Sequence, residues 1–138
     1  MVEVLSNLDP RLEADSTFIL NLDLCQVRLS HNAAFPWILL IPNRPNVREI
    51  IDLGEADRGV LMEEIAKASQ VMRSIFTPTK LNVAALGNIV PQLHVHIIAR
   101  YDNDAAWPGS VWGTGVEKDY DDAGKIQRMN LLHKAFSG

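Results

Sequence analysis

The sequence predicts an α+β fold, one main antiparallel sheet with a helix packed on it. Three observations carry this. Five short apolar stretches have strand character, and the short links between strands favour antiparallel pairing. One long segment repeats apolar residues at helical spacing. Strands and helices come in blocks, without βαβ alternation.

The elements follow in order. The N-terminal stretch to Asp15 is polar and predicts one short helix. STFILNLDLCQVRLSHN reads as two short strands joined near Asn21–Asp23. AFPWILLIPNRP holds an apolar run from Phe35 to Ile41, suited to a buried strand that Pro42 and Pro45 stop. EIIDLGEADRGVLMEEIAKASQVMRSIFTP is the clearest helix. Val60, Leu61, Ile65, Ala68, Val71, Met72 and Ile75 recur on one face, Glu55 or Asp57 lies near the start, and Pro78 lies just past the end. KLNVAALGNIVPQLHVHIIARY predicts a strand, a loop at Gly87–Pro91 and a second strand, most simply a hairpin. DNDAAWPGSVWGTG is a loop carrying two tryptophans. The tail predicts an amphipathic helix over about 119–136 through Ile126, Met129, Leu132 and Phe136, with Asp119, Asp121 and Asp122 at its start.

A length of 138 residues favours one domain, 1–138, and 47% hydrophobic content argues against disorder. The net charge of −4 argues against a nucleic-acid partner and leaves room for a local polar pocket for a small anion. A lone cysteine, Cys25, excludes an internal disulfide framework and a cysteine-based zinc site, and its apolar surroundings predict a core position. The N-terminus lacks the apolar region of a secretion signal, and no segment approaches the roughly 20 apolar residues of a spanning helix. The expectation is a cytoplasmic protein with no membrane partner.

PQLHVHIIAR carries the chemistry. Alternation along a strand would put Gln92, His94 and His96 on one face. Three readings stay open on these residues alone. Both histidines can be structural. An H-x-H pair can supply two imidazoles to a metal, but a third ligand is needed, and His31 and His133 are not local. A neutral imidazole can also attack phosphorus, dividing one hard step into two easier ones.

QLHVHII resembles the signature of the histidine triad family of nucleotide hydrolases and transferases, His-φ-His-φ-His-φ-φ with φ apolar. It matches at His94, His96 and all four φ positions. The surroundings are similar too, in WILLIP, in LNVAALGNIVP before the motif and in AWPG after it, so the resemblance covers about 24–112. The combination of Phe-Pro-Trp with Gln-Leu-His-Val-His resembles a bacterial branch of the family.

The resemblance implies a HIT-like antiparallel sheet of about five strands with a central helix packed on it and a C-terminal helix. It implies His94 as the nucleophile and His96 as the group that contacts phosphate and helps the leaving group. Gln92 stands where the first histidine would be and keeps the main-chain carbonyl that orients the nucleophile. Trp37 stands where a further histidine falls, and the two replacements are expected to pack together. Asn88 takes the place of a glutamine amide, Ile89 supplies no serine hydroxyl, and Asn82 matches an asparagine that contacts ribose or phosphate. Asn32 and His31 fall near the nucleoside. Trp107 and Trp112 are expected at a pocket lid or dimer contact, and Arg100 as a solvated charge or salt bridge.

The implied activity is attack at the α-phosphorus of a nucleoside phosphoramidate, adenylate or dinucleoside polyphosphate, through a nucleotidyl-histidine intermediate. The alternative is a catalytically weak or inactive nucleotide-binding or regulatory protein of the same fold. No cofactor or protein-held metal is implied, although a divalent cation could accompany a polyphosphate. A homodimer is implied as well.

Overall fold

A computed structural model describes residues 8–138. The elements are α1 (Pro10–Asp15), β1 (Ser16–Asn21), β2 (Cys25–Ser30), β3 (Trp37–Pro42), α2 (Glu55–Phe76), β4 (Lys80–Ala84), β5 (Val95–Arg100) and α3 (Asp122–Ser137), with a 3-10 turn at Ile50–Asp52. The strands form one five-stranded sheet in the order β1-β2-β3-β5-β4, and every pairing is antiparallel. The central pairing of β3 with β5 sets Leu39 opposite His96, and β4 sets Ala84 opposite the same histidine.

Strand alternation divides the side chains between two faces. Val27, Leu29, Ile38, Leu40, Val95, Ile97 and Ala99 share one buried cluster with Leu61, Ala68, Val71 and Met72 of α2 and Leu132 and Phe136 of α3. The other face is covered by α1, whose Leu12 packs on Leu39 and Ile41, and by the segment after β5, whose Val111 packs with Phe35 and Ile98. A polar device inside the core was not foreseen. Buried Glu64 of α2 accepts the N–H groups of Leu24 and Cys25 through its two carboxylate oxygens, both at 2.9 Å, and so pins the β1–β2 turn to the helix.

Several expectations need correction. The third strand begins at Trp37, after Pro36, which has no N–H for the ladder but whose carbonyl accepts from Ala99. Ile126 of α3 is exposed, so that helix turns inward through Met129, Leu132, Ala135 and Phe136 instead. The motif strand starts at Val95, leaving Gln92 and His94 outside the ladder. The cause is local: the Leu93 N–H donates to the Val47 carbonyl at 3.0 Å, which draws the chain off the sheet just before His94.

Candidate active site

His94 sits at the entrance to β5 and His96 within it, their ring centroids 4.9 Å apart and nearly edge to face. Both are buried, at 5% and 6% exposure. Each ring is held by one neighbour, and the two neighbours impose opposite tautomers. The Gln92 carbonyl can only accept, so the proton of His94 lies on Nδ1, which donates across 2.6 Å. That leaves the Nε2 lone pair of His94 free of any hydrogen bond among the described residues. The indole of Trp37 can only donate, and its Nε1–H lies 3.0 Å from Nδ1 of His96. That nitrogen must therefore carry the lone pair, and the proton of His96 lies on Nε2. The Nε2 atom is buried and has no hydrogen-bond partner among the described residues. Burial, and then the neighbouring His94, push the His96 ring down to about 4, with the Leu86 backbone carbonyl opposing weakly.

These rings line a cleft of about 690 Å³. Its other walls include Leu12 and Asp15 of α1, Ser30, His31 and Asn32 at the end of β2, the Gly87–Val90 turn, and Trp37 and Trp112. Trp112 stands 5.0 Å from His96 and 5.8 Å from Trp37, edge on to both. Gly87 permits the close turn: a Cβ there would come within 2.6 Å of the Val90 carbonyl oxygen and 3.3 Å of the His94 ring. A second cavity that also reaches His94 is lined by Arg48, Ile50, Asn88, Gln92 and neighbours. Among the described residues, no three His, Cys, Asp or Glu side chains are grouped to hold a metal ion.

The residues singled out in the sequence divide into two sets. His94, His96, Asn88, Asn32 and His31 line the cleft. Asn32 is also a joint, since its side chain accepts from the Ala34 and Lys118 amides and donates to the Val116 carbonyl, tying β2 to the 116–118 segment. His31 Nε2 pairs with the Thr17 hydroxyl at 2.8 Å. Asn82 is not brought to the cleft. Its carbonyl oxygen accepts from Arg100, which is 1% exposed and also holds Asp104 and the Gly109 carbonyl. That guanidinium keeps the Asp104 carboxyl well below the usual range. Arg100 thus forms the expected salt bridge, buried rather than solvated.

Trp107 also lies outside the cleft, beside the Arg100 guanidinium at 5.9 Å; Trp112 is the tryptophan on the wall. In a loop without periodicity, the two could not be told apart by spacing. Trp37 and Gln92 take different hydrogen-bond partners. Trp37 reaches His96, whereas the Gln92 side chain accepts the Asp9 N–H at 2.7 Å, at the start of α1. Arg11 adds a second tie by donating to the Ile89 carbonyl at 3.0 Å. This clasp between α1 and the 89–92 turn carried no sequence signal, because it joins residues about eighty positions apart.

An antiparallel five-stranded sheet with an H-x-H pair at the entrance to an inner strand, one ring presenting a lone pair and the next a proton, defines a class of imidazole-based sites. The comparisons agree with that class. A model of the HIT domain matches residues 11–103, and the chain belongs to the histidine triad family. Solved structures of histidine triad proteins resemble it over nearly the whole length. One from Bradyrhizobium japonicum has 44% identity, covers 94% of this chain and 96% of its own, and superposes with a TM-score of 0.91. One from Marinobacter aquaeolei has 38% identity, coverage of 94% and 95%, and a TM-score of 0.91. One from Sinorhizobium meliloti has 37% identity, coverage of 93% and 95%, and a TM-score of 0.90. A search of curated proteins returns no match.

Proposed function

We propose that this chain is a nucleotide hydrolase or nucleotidyl transferase that acts at the α-phosphorus of an adenylate, dinucleoside polyphosphate or phosphoramidate. The observation that carries the reading is the pair of opposed tautomers. His94 Nε2 offers its lone pair to phosphorus, while Nδ1–H stays on the Gln92 carbonyl and spreads the positive charge that develops as the N–P bond forms. His96 Nε2–H donates to an oxygen of the phosphoryl group, as do main-chain amides of the 87–90 turn and the Asn88 side chain. The cleft beside Trp37, Trp112 and Asn32 takes the nucleoside.

A divalent ion enters only with a polyphosphate substrate, and no step is assigned to it. We propose the cytoplasm as the location. We also propose a homodimer, with β4 as the outer strand of the sheet and Val83 exposed on it.

A second reading, nucleotide binding without turnover, is favoured by one observation: Asn82 is committed to Arg100 and Ile89 has no hydroxyl, so two phosphate contacts are missing. One experiment separates the readings. Purified protein is incubated with acetyl adenylate, diadenosine tetraphosphate and an adenosine phosphoramidate, and nucleoside monophosphate is measured. Release that disappears in His94→Ala, with nucleoside monophosphate binding kept, supports the enzyme. Binding without release from any of the three supports the second reading.

A further inference from the structure

Resting on the reading above, we propose that Trp37 makes the site selective for nucleotidyl anhydrides over phosphoramidates, by holding His96 as a neutral ring that donates from Nε2 and delivers no proton to a leaving amine. The geometry behind this is the 3.0 Å bond from the indole N–H to His96 Nδ1. An imidazolium carries a proton on both nitrogens, so charging His96 would set two N–H groups against each other across that distance. Trp37 cannot turn from donor to acceptor, because an indole nitrogen has no lone pair to offer.

Of the groups around His96, only the Leu86 backbone carbonyl favours the charged ring, and burial and His94 outweigh it. His94 faces it from the entrance of β5, Trp37 from β3 and Trp112 from the segment after β5. None is a carboxylate, and no ion pair reaches the ring among the described residues. The charged residues of the cleft, Asp15, Glu117, Lys118 and Asp119, lie elsewhere on its wall. Burial acts in the same sense, and the depressed proton affinity of the ring agrees.

The chemistry then divides the substrates. With an anhydride, the Nε2 lone pair of His94 forms the N–P bond as the P–O bond breaks. The electron pair leaves on a carboxylate or phosphate oxygen, which is stable as an anion and needs no proton. His96 holds a phosphoryl oxygen by a hydrogen bond and keeps its proton. Water then attacks phosphorus, the N–P electron pair returns to His94, one water proton goes to solvent, and a nucleoside monophosphate is released. With a phosphoramidate, the P–N bond must break toward an amine, and the departing nitrogen needs a proton. A neutral imidazole whose other nitrogen is already the acceptor of a hydrogen bond is a poor source of it.

The test pairs two probes with leaving groups of similar size, acetyl adenylate and the N-ethyl phosphoramidate of AMP, each rate divided by its uncatalysed rate. A general acid contributes about 100-fold or more, so the wild type should favour the anhydride by at least about that factor. Trp37→Gln places a carbonyl oxygen where it can accept from Nδ1, and it should raise the amidate-to-anhydride ratio about tenfold. Trp37→Phe, which removes the donor without adding an acceptor, should raise it less. Separately, 15N NMR of the ligand-free protein should show His96 as the Nε2–H tautomer, uncharged from pH 7 down to pH 5. Equal turnover of the two probes, preference for the amidate, or a charged or Nδ1–H ring at pH 7 would overturn the proposal. No turnover of either probe would refute the enzyme reading and the selectivity with it. If Trp37→Gln fails to fold, the wild-type ratio and the NMR spectrum still decide.

Discussion

His96 illustrates how one partner sets the chemistry of a side chain. A ring with reference proton affinity near 6.5 is held near 4 by burial and by His94. The native state therefore keeps it neutral while the unfolded chain takes up a proton below about 6.5. The contribution is intact above that value and is lost as pH falls toward 4, costing about 2 kcal/mol between pH 7 and pH 5. Urea unfolding at the two pH values should show this loss in the wild type and a shallower one in His96→Gln. Identical slopes would mean that the ring is not held neutral. The sequence carried His94 and His96 clearly, since alternate apolar neighbours frame them. The family resemblance implied the bond from the His94 ring to the Gln92 carbonyl, which any residue at that position can supply. The sequence did not carry the partner of His96: Trp37 lies 59 positions away, and only the β3–β5 register brings it across. Asn82 and Trp107 were misplaced for a related reason, since buried Arg100 claims the first and lies beside the second.

At the scale of elements, the hairpin of β4 and β5, the long α2 and the tail helix could all be read from periodicity and breakers. The start of β5 could not, because the Val47 carbonyl competes for the Leu93 N–H and overrides the alternation. The short α1 could be read as a helix but not as a wall of the site. Its start is fastened through Gln92, whose carbonyl in turn holds His94, so one residue links the helix to the proposed nucleophile. Gln92→Leu removes the side-chain acceptor and leaves the carbonyl. The expected result is faster amide exchange at Asp9 and through α1, with a kcat reduced by about tenfold, since misplacement of a reacting group by even 1 Å is costly. Unchanged exchange in α1 would show that the clasp is held by Arg11 and packing instead.

At the scale of the whole molecule, one sheet serves two functions. Its apolar face makes the core with α2 and α3, and its other face carries the imidazoles, Trp37 and buried Arg100 beneath α1 and the segment after β5. That division follows from the alternating side-chain directions in β2, β3 and β5, whereas the α+β architecture was legible from the short links between strands and the long helical repeat. Dimerisation leaves no such signature. Light scattering at micromolar concentration should give twice the 15.4 kDa of the chain, and a monomer mass would remove the proposed pairing. None of the helices among the described residues is long and apolar enough to cross a membrane.

The central claim, that the Nε2 lone pair of His94 forms a bond to phosphorus, is open to direct chemical capture. Protein mixed with excess acetyl adenylate is quenched in alkali within a fraction of a turnover, digested and mapped by mass spectrometry. A nucleotidyl adduct on His94, absent from His94→Ala, is the predicted result. Release of nucleoside monophosphate at the wild-type rate with the adduct on another residue, or with inversion at phosphorus and no adduct at all, would contradict it.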